Sequence, residues 1–115
     1  MQAAIKVLTH KDHENVKAFS DEAKLFAQLE HFNLTQLLAV HLKGEPKMLA
    51  FELVEGMSLT EYMIYLRSNN LEDSLSDEDI TGVVTQIADV MTYLSRFGVV
   101  HRDICARCVI FSLPF

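Results

Sequence analysis

The most regular pattern in the sequence is a run of apolar residues near its C-terminal end. They recur at spacings of three and four over about four turns, which predicts an amphipathic helix. Ser76 and Asp79 predict a capping box at its start, and Gly98 predicts a left-handed residue at its end. The second half of the chain is therefore expected to be largely helical. The residues of the apolar stripe are Ile80, Val83, Val84, Ile87, Val90, Met91 and Leu94.

A strand pattern opens the chain at Ala3–Leu8, where Ile, Val and Leu surround a single lysine. The two-residue period places Ala4 and Lys6 on one face and Ile5 and Val7 on the other. On local grounds, Lys6 most simply points to solvent.

A second helix is predicted between Val16 and Leu29, again from apolar spacings of three and four. Glu22 lies beside that apolar stripe. It is either a boundary residue that reaches water or an inward carboxylate that faces a fixed cation.

The centre of the chain predicts a β-hairpin, a short helix and a polar loop. Two apolar strands around a Gly-Glu-Pro turn form the hairpin over Leu37–Val54, and 55–57 breaks it. Ser58 is placed to cap a helix with an apolar side from Leu59 to Leu66, before the polar residues 67–78. A final strand-loop-strand, 99–110, completes an α+β order.

Composition excludes several classes of function. The net charge is −6 and no basic cluster occurs, which argues against a nucleic-acid partner. No apolar run reaches the ~20 residues of a membrane span, and the N-terminus lacks a signal-peptide core. These features predict a cytoplasmic chain.

Cys105 and Cys108 form a C-x-x-C pair close to His101. A structural zinc site needs four ligands, and no second Cys or His pair stands nearby in the sequence. We therefore interpret the cysteines as ordinary thiols of a reducing compartment and predict no metal site.

Five short segments stand out in chain order: Ala4-Ile5-Lys6, the helix around Glu22, His31-Phe32-Asn33-Leu34, Phe51-Glu52-Leu53-Val54 and His101-Arg102-Asp103. Together they resemble a eukaryotic protein kinase domain. Ala106-Arg107, after the last segment, most closely resembles the tyrosine-kinase branch of that family. The resemblance implies a partial kinase domain, with small-lobe strands and one helix in 1–54, and with the connector, large-lobe helices and catalytic loop in 55–115.

The resemblance also implies the chemistry of ATP-dependent phosphoryl transfer to a protein substrate. Lys6 resembles the lysine that grips the α- and β-phosphates, and Glu22 resembles its partner on the helix. Asp103 resembles the residue that accepts the proton of the substrate hydroxyl. ATP and Mg²⁺ are the cofactors expected of the family.

An adenine site is implied by further positions. Ala4 and Ile110 resemble the residues above and below the adenine ring, and Phe51 resembles the gatekeeper that narrows the back of the pocket. The backbone from Glu52 to Val54 would offer hydrogen bonds to the adenine edge.

Three departures from the family pattern weaken the expectation of activity. Cys108 stands where the family has an asparagine that binds magnesium, and a thiolate is a poor ligand for this hard cation. The 115 residues also contain neither a glycine-rich loop before Ala4 nor an Asp-Phe-Gly motif after Ile110. The chain alone is therefore expected to be inactive. It is either part of a longer kinase, for example a receptor, or a pseudokinase that binds a signalling partner.

Overall fold

The computed structural model describes residues 2–99 and 109–112 of the chain. The chain divides into two compact units, residues 1–53 and residues 54–115. Helices and strands occur in both, so the predicted α+β class is confirmed. The predictions made for 100–108, including the catalytic loop, lie outside the described residues.

The first unit contains a three-stranded antiparallel sheet and one helix. In chain order these are β1 (Ala3–Val7), α1 (His13–Phe26), β2 (Leu37–His41) and β3 (Met48–Glu52). The sheet order is β1-β3-β2, with both pairs antiparallel. The predicted hairpin is thus confirmed as β2 and β3.

The predicted bounds of α1 were wrong at both ends. The helix begins at His13 because Asp12 caps it: the Asp12 carboxylate accepts the backbone N–H of Asn15 at 2.8 Å. The first turn is polar, so the apolar spacing that starts at Val16 does not reveal it. Leu29, the predicted end, lies beyond the helix but is buried.

The core of the first unit lies between α1 and one face of the sheet. Its buried members are Leu8, Phe19, Ala23 and Leu49, and Leu49 is completely buried. Lys6 lies opposite Leu49 in the β1–β3 register, so its side chain starts from the face that α1 covers.

The second unit contains a small two-stranded sheet and two helices. Its elements are β4 (Gly56–Ser58), α2 (Leu59–Ser68), a 3₁₀ turn (Glu72–Ser74), α3 (Asp77–Ser95) and β5 (Ile110–Ser112). The strand β4 was predicted only as a break. It forms because it pairs antiparallel with β5, far away in sequence, which a local pattern does not reveal.

The predicted start of α2 and both predicted ends of α3 are confirmed, whereas α2 runs to Ser68, two residues into the predicted polar loop. The Ser58 hydroxyl accepts the N–H of Glu61 at 3.1 Å, and Ser76 and Asp79 form a reciprocal capping box. Gly98 has φ of +69°, and the N–H of Val99 donates to the carbonyl of Leu94 at 3.2 Å, which is the Schellman closure of a helix.

Candidate functional site

The central feature of the first unit is an ion pair between Lys6 and Glu22. The Lys6 Nζ donates to both carboxylate oxygens of Glu22, each at 2.8 Å. Strand β1 directs Lys6 towards α1, and Glu22 lies on α1 next to the buried Ala23. The sequence left open whether Glu22 reaches water or faces a cation, and the structure shows that its carboxylate faces the Lys6 ammonium.

This ion pair is held in place but remains open to solvent. The Lys6 side chain is 52% exposed and that of Glu22 is 29% exposed. An ammonium has three N–H donors, and the two contacts to Glu22 leave part of the cation accessible. The arrangement suits an anionic ligand such as a phosphate, because the carboxylate fixes the position of the ammonium.

Two further predicted residues lie on the same face of the sheet as Lys6. Ala4 lies opposite Phe51 in the β1–β3 register, so their side chains are neighbours. The Phe51 ring packs edge-to-face on the Phe26 ring of α1, with centroids 5.3 Å apart. The structure therefore brings Ala4, Lys6, Glu22 and Phe51 together beside one helix.

Glu52 ends β3 and makes a contact that the sequence did not predict. Its backbone N–H donates to the carbonyl of Gln36 at 2.9 Å, and its Oε1 accepts the backbone N–H of Gln36 at 2.9 Å. The bond joins residues sixteen positions apart across a strand pair, and no local sequence signal identifies it.

Two of the other predicted site residues lie in the second unit. Val54 and Ile110 are in the second unit, where Ile110 lies opposite Ser58 in the β4–β5 ladder. Asp103 and Cys108 lie outside the described residues, so their predicted roles stay predictions.

Within residues 2–99 and 109–112, no group of three His, Cys, Asp or Glu side chains is placed to hold a metal ion.

In the same part of the chain, no helix has the combined length and hydropathy needed to cross a membrane.

Comparison with known families gives a match over nearly the whole chain. The model for the protein tyrosine and serine/threonine kinase family matches residues 1–113. The chain belongs to this protein kinase family.

Similar proteins include some named as tyrosine kinases and others named as serine/threonine kinases. The chain is 35% identical to "Tyrosine-protein kinase SRK3" of Spongilla lacustris over 93% of its length, and 37% identical to "Epidermal growth factor receptor" of Apis mellifera over 96%. It is 33% identical to "Cysteine-rich receptor-like protein kinase 41" of Arabidopsis thaliana over 95%. The matched regions are 31%, 8% and 16% of these relatives, so the chain spans less than a third of each.

Proposed function

We propose that this chain supplies the nucleotide-holding part of a protein kinase that transfers the γ-phosphoryl group of ATP to a protein hydroxyl. The observation that carries the proposal is the bidentate Lys6–Glu22 pair. Phosphoryl transfer depends mainly on positioning and on charge stabilisation, and a fixed, accessible ammonium serves both.

In this proposal, Lys6 binds the α- and β-phosphate oxygens and Glu22 keeps its ammonium in place. Ala4 contacts the adenine, with Phe51 behind it and the backbone of Glu52 at its edge. Val54 and Ile110 keep the adenine-binding role, and Asp103 the proton-accepting role, that the resemblance implies for them. Mg²⁺ supplies charge neutralisation of the phosphates in the family, and no described residue is assigned to it.

The preference for tyrosine over serine or threonine is a finer part of the proposal. It rests on Ala106-Arg107 in the sequence. The relatives include "Tyrosine-protein kinase SRK3" as well as receptor-like protein kinases of plants. The cytoplasmic location also remains a prediction.

A pseudokinase that binds a signalling partner is the second candidate, and Cys108 favours it. A thiol at the expected asparagine position is poorly suited to magnesium. Such a protein would keep the Lys6–Glu22 pair without transferring phosphate.

Labelled γ-phosphate transfer from ATP by the full-length protein separates these candidates. We expect transfer to a protein substrate that falls at least about 100-fold in Lys6→Met, since charge stabilisation of this kind is typically worth that much. The matched control is Lys11→Met, because Lys11 forms a different surface pair with Glu45 at 3.2 Å. If the wild-type protein transfers nothing while Cys108→Asn does, the pseudokinase proposal is favoured.

A further inference from the structure

The outer edge of strand β2 has no neighbouring strand. In the part of the chain that the structure describes, β2 pairs with β3 alone, since the sheet order is β1-β3-β2. A bond just beyond the other ladder shows which way the backbone groups point. The N–H of Leu8 donates to the carbonyl of Lys47 at 3.0 Å, and these residues lie opposite each other when the β1–β3 register is extended by one position. They therefore form a hydrogen-bonded pair.

This pair determines the direction of the backbone groups in β3 and then in β2. Hydrogen-bonded and non-hydrogen-bonded pairs alternate along an antiparallel ladder, so Met48 and Ala50 bond to β2 and not to β1. Their partners in β2 are His41 and Ala39. Val40 lies between those two partners, and its N–H and C=O therefore point to the free edge.

The free edge lacks the side chains that usually discourage pairing with a further strand. Natural edge strands often carry a lysine or a proline for this purpose. The five residues of β2 include neither, and Leu38 and Val40 are 45% and 49% exposed. The bulge between Leu37 and Ala39 ends the regular part of the edge, so the accessible stretch is short and centres on Val40. An extended segment can add there as a fourth strand.

The charge beside this edge is positive, although the whole chain carries −6. Residues 31–44 contain Lys43 but no aspartate or glutamate. The next carboxylate, Glu45, is bound by Lys11 at 3.2 Å and approached by Lys47 at 3.8 Å. Within the described residues, the exposed Lys43 has no ion-pair partner. A segment that brings a carboxylate to Lys43 is therefore favoured over a neutral or basic one.

We propose that the outer edge of β2 is a docking site for an extended, acidic segment of a partner protein. The segment adds to the sheet at Val40 and places a carboxylate against Lys43. The Val40 backbone supplies one N–H donor and one carbonyl acceptor to it. This surface goes beyond the proposed nucleotide chemistry, because Lys6 and Glu22 take no part in it.

Equilibrium binding of the peptide acetyl-Val-Thr-Val-Thr-Asp-Asp-amide to the full-length protein tests this site. We expect saturable binding that is about two- to fivefold tighter than that of a version with lysines in place of the aspartates, the range for an exposed ion pair. Lys43→Glu should reverse this preference. The matched control is Arg96→Glu, which changes the net charge equally but lies in the second unit, and it should keep the preference.

Val40→Pro tests the backbone contact. It removes the outward N–H without removing a bond to β3, and proline is tolerated at such edge positions. We expect the acidic peptide to bind about three- to tenfold more weakly, the range for one hydrogen bond. Val40→Thr keeps the N–H and should bind as the wild type does. Thermal unfolding checks that both variants fold, and an acidic peptide methylated on its backbone nitrogens should bind the wild-type protein more weakly to a similar degree.

Several outcomes would overturn the proposal. One is that the wild-type protein does not bind the acidic peptide, or binds the basic version equally well. Another is that methylation of the peptide nitrogens leaves its binding unchanged. A concentration-dependent dimer that Val40→Pro abolishes, without any peptide binding, would assign the edge to a second copy of the chain instead. None of these outcomes bears on the proposed function, because none involves a nucleotide.

Discussion

Lys6 on strand β1 and Glu22 on helix α1 are sixteen residues apart and meet through two hydrogen bonds of 2.8 Å. Helix α1 also contributes Phe19 and Ala23 to the buried core of the first unit, together with Leu49 of the neighbouring strand β3. The position of the carboxylate that holds the ammonium is therefore linked to the packing of the unit.

The ion pair itself should add little to stability. Its lysine is 52% exposed, and exposed pairs are typically worth about 0–1 kcal/mol because water screens them. A double-mutant cycle with Lys6→Met and Glu22→Gln, followed by chemical denaturation, should give a coupling free energy within that range. A coupling well above it would assign the pair a structural role.

The packing below the pair should matter more. Leu49 is fully buried, so Leu49→Ala is expected to lower the free energy of unfolding by about 2–5 kcal/mol through lost burial and the cavity left behind. Val40 lies opposite Leu49 but is 49% exposed, and Val40→Ala should cost less than about 1 kcal/mol. Equal losses in the two variants would contradict the placement of the core.

The start of α3 should show a dependence on acid pH. The pKa of Asp79 lies below its ordinary 3.8 mainly because its carboxylate accepts the backbone N–H of Ser76, with a smaller contribution from the Ser76 hydroxyl. Because the pKa of Asp79 is lowered in the folded state, its ionised carboxylate stabilises the helix fully at pH values above the ordinary pKa. This stabilisation is lost as the pH falls through the lower pKa of the folded state.

Asp79→Asn should therefore be less stable than the wild type at neutral pH, and the difference should shrink in strong acid. Thermal unfolding followed by circular dichroism at several pH values measures this. Ser76→Ala removes the hydroxyl that accepts the Asp79 backbone N–H, and it should lower the free energy of unfolding by about 0.5–2 kcal/mol. A difference between wild type and Asp79→Asn that does not change with pH would refute the capping role of the carboxylate.

Phe51 should determine the space beside Ala4. Shortening it in Phe51→Ala removes a ring next to Ala4, so we expect tighter binding of ATP analogues with a bulky group on the adenine amino nitrogen. The loss of the edge-to-face contact with Phe26 should cost about 0.5–1.5 kcal/mol beyond the lost burial. Competition binding measures the first effect and denaturation the second.

Phe32→Ala is the matched control, because that ring is 99% exposed. It should change neither analogue binding nor stability appreciably. Unchanged analogue binding in Phe51→Ala would show that the ring does not border the adenine site.

The sequence was most informative where a function needs several residues in a fixed order. The resemblance identified Lys6 and Glu22 as partners, and the structure places them in contact. The caps at Ser58 and Ser76 were found because side-chain chemistry within three residues determines them.

Features that depend on distant segments were not predicted. Strand β4 requires its pairing with β5, and the Gln36–Glu52 bond requires the bulge between Leu37 and Ala39. The polar first turn of α1 escaped an analysis based on apolar spacing, since Asp12 rather than burial determines where that helix begins.

A charge swap tests the central claim most directly: Lys6→Glu combined with Glu22→Lys in one protein. The swap keeps an ion pair between β1 and α1 but removes the ammonium from the strand. Our account predicts near wild-type unfolding and an ATP affinity at least about tenfold weaker, the loss expected for one charge-assisted hydrogen bond. An ATP affinity that the swap leaves unchanged, measured by equilibrium titration, would contradict the account.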